Sequence, residues 1–156
     1  MKLRKYEPKD INQIVSLFYN TINEVNIRDY SKEQVEVWSQ RSKDLINRND
    51  FFEKLYTIVA EEDGLIIGYG NINTDGYIDH LYVHKDFQHM KIGSKICDTL
   101  EQFALSVGAA YLTVHASITA KPFFESRGYK VLKEQQVCLN NVWLINYLME
   151  KRLKQN

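Results

Sequence analysis

The sequence predicts an α/β chain of the α+β kind. It has a mixed, mostly antiparallel seven-stranded sheet flanked by helices, in the order β-α-α-β-β-β-α-β-α-β-β. Three observations predict this. Apolar residues recur at helical spacing as far as residue 25. From about residue 55 the period changes to short β-rich runs separated by Asp63-Gly64 and Asp75-Gly76. One strand–helix–strand unit, 77–83, 92–107 and 111–115, supplies a parallel crossover, while the remaining strands are close enough in sequence to pair as hairpins. A length of 156 residues with 44% hydrophobic content suits one domain spanning 1–156.

The elements follow in order. "KLRKY" is a short strand. Asp10 caps the first helix, with Gln13 three residues on as the partner of a capping box, and Ile11, Ile14, Val15, Phe18, Ile22 and Val25 form its apolar face. Ser31 and Gln34 repeat the cap and open a second helix through Val35 and Trp38. A further helical stretch covers 43–54. The meander runs 55–61, 65–73 and 77–83, with both Asp-Gly pairs as tight hairpin turns. Ile92, Ile96, Leu100, Phe103, Ala104 and Val107 line one face of the next helix, which Gly108 stops. "AYLTVH" is a strand, and a short helix over 119–127 takes Pro122 in its first turn and ends at Gly128. "KVLKEQQVCLNNVWLINYLMEK" is two strands joined at Asn140-Asn141.

Composition excludes some partners. Twenty Lys plus Arg balance twenty Asp plus Glu, and there is no long basic run, which argues against nucleic acid or an anionic membrane as the main partner. No stretch reaches the ~18 apolar residues of a membrane span. "MKLRKYEPKD" is charged with no apolar block behind it, so it does not read as a signal peptide, and a cytoplasmic location is expected. Cys97 and Cys138 lie far apart in apolar stretches and read as reduced core thiols. His84, His89 and His115 have no carboxylate or cysteine at ligand spacing, so no metal is expected.

The chemistry concentrates in "DFQHMKIGSKI", residues 86–96. A strand ending at Val83 turns into a helix, and a helix N-terminus offers unpaired N–H groups and a positive dipole end to an anion. Gly93 and Ser94 are small where backbone must approach, and Lys91 and Lys95 add charge. Neither G-x-G-x-x-G nor G-x-x-x-x-G-K-[ST] is present, which rules out dinucleotide and Walker loops. The stretch resembles the pyrophosphate loop [Q/R]-x-x-G-x-[G/A] of the GCN5-related N-acetyltransferases, with Gln88 and Gly93 matching its ends. "AKPFFESRGY" resembles that family's later block through Ala120, Phe123, Glu125, Gly128 and Tyr129. The resemblance covers nearly the whole chain and extends to a bacterial small-molecule acetyltransferase subgroup.

The resemblance implies acetyl-CoA as cosubstrate, lying where the fourth and fifth strands splay. Backbone of Leu81, Tyr82 and Val83 is expected to pair with the pantetheine arm. N–H groups of Gln88, His89, Met90, Lys91, Ile92, Gly93 and Ser94 are expected to hold the pyrophosphate, and Ser117, Ala120 and Phe124 to line the thiol side. Two positions depart from the pattern. Lys91 stands where the family has glycine. Phe124 stands where it often has a tyrosine that protonates the leaving thiolate, and phenylalanine has no proton to give. Ser117, His115, a nearby tyrosine or water is left to serve.

Strict strand alternation puts Tyr77, Asp79, Leu81 and Val83 on one face and Ile78, His80 and Tyr82 on the other. Many members of the resembled family carry an acidic base at the position of Asp79. His80 has the better intrinsic pKa but is expected to face away, and Asp79 as a turn-bonding residue is the plain alternative. Tyr30, Trp38 and Tyr77 are candidate acceptor contacts, with Tyr30 and Trp38 equally readable as core. The expected reaction is acetyl transfer to a primary amine of a small molecule by direct attack. A non-catalytic acyl-CoA sensor and a protein or ribosomal acetyltransferase are the other readings. A monomer or a homodimer is expected, the latter through "VWLINYL" as a sheet edge.

Overall fold

The computed structural model describes residues 1–153. Its order is β1 (Lys2–Lys5), α1 (Ile11–Glu24), α2 (Lys32–Ser39), α3 (Ser42–Leu45), α4 (Asn49–Lys54), β2 (Tyr56–Glu62), β3 (Leu65–Ile72), β4 (Tyr77–Val83), α5 (Ile92–Ser106), β5 (Tyr111–Ser117), α6 (Lys121–Ser126), β6 (Lys130–Leu139) and β7 (Val142–Arg152). The seven strands form one sheet in the order β1-β2-β3-β4-β5-β7-β6. Only β4 and β5 are parallel.

The Ser31/Gln34 capping box forms as its sequence dictates, with each side chain bonded to the other's backbone N–H at 3.1 and 2.9 Å. The expected Asp10/Gln13 box does not. Asp10 is buried and its carboxylate accepts from the two terminal Arg4 guanidinium nitrogens and from the Glu7 N–H, all at 2.8 Å. Gln13 instead reaches across to the β2–β3 hairpin, bonding Gly64 O and Ile66 N. An ion pair with arginine outcompetes a neutral cap for the same carboxylate. The stretch 43–54 is two short helices rather than one.

Asp63 and Gly64 both take positive φ, the two-residue hairpin turn their sequence favours. Asp75-Gly76 is different. Four residues separate β3 from β4, and the Asn73 side chain accepts the N–H groups of Asp75 and Tyr77 to close the loop. Asn140 and Asn141, both at positive φ, make the β6–β7 turn.

The apolar face of α5 packs on β2, β3 and β4 through Ile92, Ile96 and Leu100. It approaches closely because Gly68 and Gly70 present no side chains: a Cβ at either would stand 3.0 Å from Ile96. Val107, expected on this face, follows the helix and is exposed. The other sheet face is covered by α1 with α2–α4. Cys97 is buried as expected, but Cys138 is exposed on β6. The expected edge "VWLINYL" is wrong for a topological reason. β7 is paired on both sides, and β6 and β1 are the edges.

Candidate active site

The centre of the sheet opens. β4 and β5 pair only at Tyr77↔Thr113 and Ile78↔Val114. Beyond these, β4 stays on β3 as far as Val83 and β5 stays on β7 as far as Ser117. A wedge therefore separates 79–83 from 115–117. Main-chain groups along an antiparallel ladder point alternately toward and away from the neighbour. The His84 N–H donates to Ile67 O at 2.8 Å, so Tyr82 also faces β3 while Leu81 and Val83 turn theirs into the wedge. Of the three backbones expected to be free, that of Tyr82 is committed to the sheet. Its ring packs on Phe18 and Tyr69, at 5.1 and 5.8 Å. Val83 O already accepts Thr21 Oγ1 at 3.0 Å and Gln88 Nε2 at 2.7 Å.

That second bond explains a glutamine at position 88. It ties the loop to the strand end, aided by a longer contact to His84 O. The chain between makes a 3-10 turn, Lys85–Phe87, capped by His84 Nδ1 on the Asp86 N–H. His89 and Lys91 then take φ of +62° and +64°. That left-handed region costs a residue with a side chain about 1 kcal/mol or more, which is why a glycine suits the Lys91 position in the resembled motif. Lys91 is the exposed N-cap of α5, and the first N–H groups of the helix follow it unpaired. Met90 is exposed and Ile92 buried. Gly93 and Ser94 are half-buried. A Cβ at Gly93 would meet Phe123 and Val83 at an ordinary 3.6 Å, so the slot asks for a small residue rather than for glycine alone.

A β-bulge shapes the other end of β4. Asn71 pairs with His80 but Ile72 pairs with Ile78, so Asp79 is the extra residue. The expected face assignment fails here. Ile78 joins Leu81 and Val83 against α5, while Tyr77, through its edge-on contact with His115 at 5.4 Å, leaves that face. Asp79 is exposed at the bulge. Partial desolvation raises its carboxyl above the ordinary aspartate value, opposed by the charges of Arg41 and His115. Burial likewise pushes the Tyr77 hydroxyl up to about 12.

His80 does not have the favourable pKa expected of it. Its ring is enclosed by Phe18, Phe51 and Phe52 at 5.7, 5.1 and 6.2 Å, and Nδ1 bonds the Tyr69 hydroxyl at 2.9 Å. The side chain is half-buried, and burial pushes its pKa down to about 3, with the Arg41 charge adding to the shift, which favours the neutral ring.

For Tyr30 the structure favours the core alternative over the acceptor contact. It is buried, donates to Ile145 O at 2.7 Å and accepts the Ile118 N–H at 2.9 Å. Both capacities of its hydroxyl are thus spent tying the segment before α2 to β7 and to the β5–α6 turn. Trp38 lies edge-on to it at 5.3 Å, half-buried. Ser117 Oγ accepts the Ala120 N–H at 3.0 Å, holding the turn into α6. Phe124 does not line the opening. It is 2% exposed, packed between Phe123 and Tyr129, and Phe123 is the ring beside Gly93. Sequence reasoning missed Arg41, Phe51 and Asn71. Only Asn71 carried a signal, as a lone amide in the apolar run "LIIGYGNI". A cavity of about 260 Å³ between α1 and the β2–β3 hairpin, lined by Asn12, Gln13, Ser16, Asn20, Leu65 and Lys85 among others, contains neither Asp79 nor the loop 88–94.

Residues 26–151 match the family model described as acetyltransferase (GNAT) domain. The chain belongs to the GNAT family of N-acetyltransferases. A curated relative, the uncharacterized N-acetyltransferase YafP of Escherichia coli (strain K12), is 30% identical over 152 residues, covering 96% of this chain and 94% of that protein. A GCN5-related N-acetyltransferase from Rhodopseudomonas palustris superposes with a TM-score of 0.93 at 34% identity, over 97% of this chain and 95% of that one. The PaiA N-acetyltransferase of Thermoplasma acidophilum, in complex with coenzyme A, shares the fold with a TM-score of 0.73 at 17% identity, over 97% of this chain and 98% of that one. The seven-stranded mixed sheet with flanking helices expected from the sequence is the GNAT fold. No helix among the described residues is long and apolar enough to cross a membrane.

Proposed function

We propose that this GNAT chain transfers the acetyl group of acetyl-CoA to a primary amine of a small molecule. The observation that carries the reading is the coincidence of two features on one strand. β4 leaves β5 after Ile78, freeing the Leu81 backbone and the Val83 N–H, and then runs directly into the loop 88–94 at the start of α5. An extended amide-bearing arm suits the first and a diphosphate suits the second. The CoA complex of the PaiA relative supports the choice of cosubstrate.

Asp79 takes the proton that the attacking amine must lose. Its raised pKa makes it a better base than an ordinary aspartate, and its place beside the end of the β4–β5 pairing suits an acceptor entering from the α1–α2 side. The amine nitrogen bonds to the acetyl carbon as the carbon–sulfur bond breaks. The departing thiolate takes a proton from water, directly or relayed through the Ser117 hydroxyl, which gives its hydrogen to the sulfur as it takes one from that water while its oxygen is held by the Ala120 N–H. Lys91 and Lys95 add positive charge beside the phosphates.

The test is release of CoA thiol from acetyl-CoA across a panel of primary amines. Amine-dependent release supports the reading. CoA binding with no amine-dependent release contradicts it.

A further inference from the structure

Asn71 is a fully buried amide in the interior of β3. Its Oδ1 accepts the His80 main-chain N–H at 2.9 Å, and its Nδ2 is buried with no hydrogen-bond partner among the described residues. A buried donor left unbonded costs about 1–3 kcal/mol, and an apolar side chain would pack this strand without that cost. What an apolar side chain lacks is an acceptor for the His80 N–H. The bulge at Asp79 makes that N–H awkward, because an inserted residue throws the following amide out of line with the neighbouring row of carbonyls. Three features meet at this joint: the register slip between Asn71 and Ile72, the last β4–β5 pair at Ile78↔Val114, and the exposed extra residue Asp79.

We propose that Asn71 is a positioning residue, its side-chain amide standing in for a backbone acceptor to hold the bulge that presents Asp79 at the acceptor side of the wedge. This deepens the reading of Asp79 as the base and rests on it. Asn71 holds the joint in place, and its unbonded Nδ2 remains as a donor beside it.

The groups around Asp79 are Tyr69 on β3, Tyr77 and Tyr82 on β4, Arg41 ahead of α3 and His115 on β5. All are kept in the test, which needs no acceptor. Carbon-13-labelled aspartate is introduced into the full chain, and the Asp79 carboxyl is titrated by NMR alongside hydrogen exchange of the His80 amide. Asp50, an exposed aspartate paired with Arg48, is the internal reference.

In Asn71→Leu the His80 amide loses about tenfold or more in protection. The Asp79 midpoint moves by at least about half a pH unit, and Asp50 stays. Asn71→Asp keeps an acceptor oxygen, so His80 protection is retained while the new carboxylate moves the Asp79 midpoint upward. An Asp79 midpoint unchanged in folded Asn71→Leu overturns the proposal. If that variant does not fold, an unchanged midpoint in Asn71→Asp overturns it. The base role is read separately, from the turnover of Asp79→Asn against pH. A wild-type profile there removes the base and leaves the titration result standing.

Discussion

The two ends of β4 do their work by different means. At the C-terminal end the proposed working groups are main-chain: the Val83 N–H, the loop after Gln88, and the unpaired N–H groups that open α5. Side chains there keep the backbone in place. At the N-terminal end the proposed working group is one carboxylate at a bulge, and its surroundings come from β3, β5 and the segment before α3. The first end is local in sequence and has a spacing that backbone geometry fixes. The second is assembled from residues as far apart as Arg41 and His115. A cosubstrate shared by many enzymes can be held by the first kind of site, whereas an acceptor particular to one enzyme needs the second.

The largest expected effect is on the scaffold of the acceptor end. Gly76 has φ +91°, and a Cβ there would lie 2.1 Å from the Tyr111 carbonyl. Gly76→Ala forces the β3–β4 loop off β5 and is expected to cost about 3 kcal/mol or more in urea unfolding. A cost within that of an ordinary surface change would contradict the close approach of Gly76 to β5.

Next comes chemistry. Asp79→Asn is expected to lower the acetylation rate about hundredfold, the scale of losing a general base, with CoA affinity nearly unchanged. Since the base acts ionised and its pKa is raised, the acid limb of the wild-type profile should lie above the ordinary aspartate range, and the variant should lose it. Stability moves the opposite way. The folded carboxyl holds its proton at a higher pH than the unfolded one, so ionising it costs stability as pH rises through that window. Asp79→Asn should therefore raise Tm slightly near neutral pH. That gain should fade as the pH falls through the raised folded value and be gone below the unfolded value of 3.8.

Tyr30→Phe strips a donor from Ile145 O and an acceptor from the Ile118 N–H. It is expected to cost about 1–3 kcal/mol of stability while KM for acetyl-CoA stays put. A change in acceptor KM with no loss of stability would return Tyr30 to the binding surface. The smallest effect sits at the cosubstrate end. Lys91→Gly should stabilise by about 1 kcal/mol through relief of positive φ and keep acetyl-CoA affinity within about tenfold, with a weaker salt dependence because one phosphate-facing cation is gone. An unchanged salt slope would place Lys91 away from the phosphates.

The same contrast explains what the sequence made legible. Period and turn residues determine the strands and helices, so the element order could be read from Ile92–Leu100 and Asp63-Gly64, while the splayed pair was implied only by the family resemblance that "AKPFFESRGY" carries. The Gln88–Ser94 loop was legible because its geometry is local. The bulge was not, since one extra residue in β4 leaves no local mark and reverses which residues share a face with Ile78. His80 was credited with the better intrinsic pKa because its sequence neighbours hide the Phe18, Phe51 and Phe52 rings packed around it. Phe124 looked like a missing acid because the motif does not say that Phe123, not Phe124, reaches Gly93. β7 looked like an edge because pairing order in a sheet is non-local. Arg41 gave no signal at all.

The central claim is that acetyl-CoA lies along the free side of β4 and ends on the α5 loop. Amide chemical-shift changes on adding CoA test it most directly, because they need neither an acceptor nor a variant. The account expects the largest changes at residues 89–94 and at Leu81 and Val83, with Tyr82, whose N–H faces β3, moving less. Changes concentrated instead at Asn12, Gln13, Ser16 and Asn20, around the cavity beside α1, with the loop 89–94 undisturbed, would contradict it.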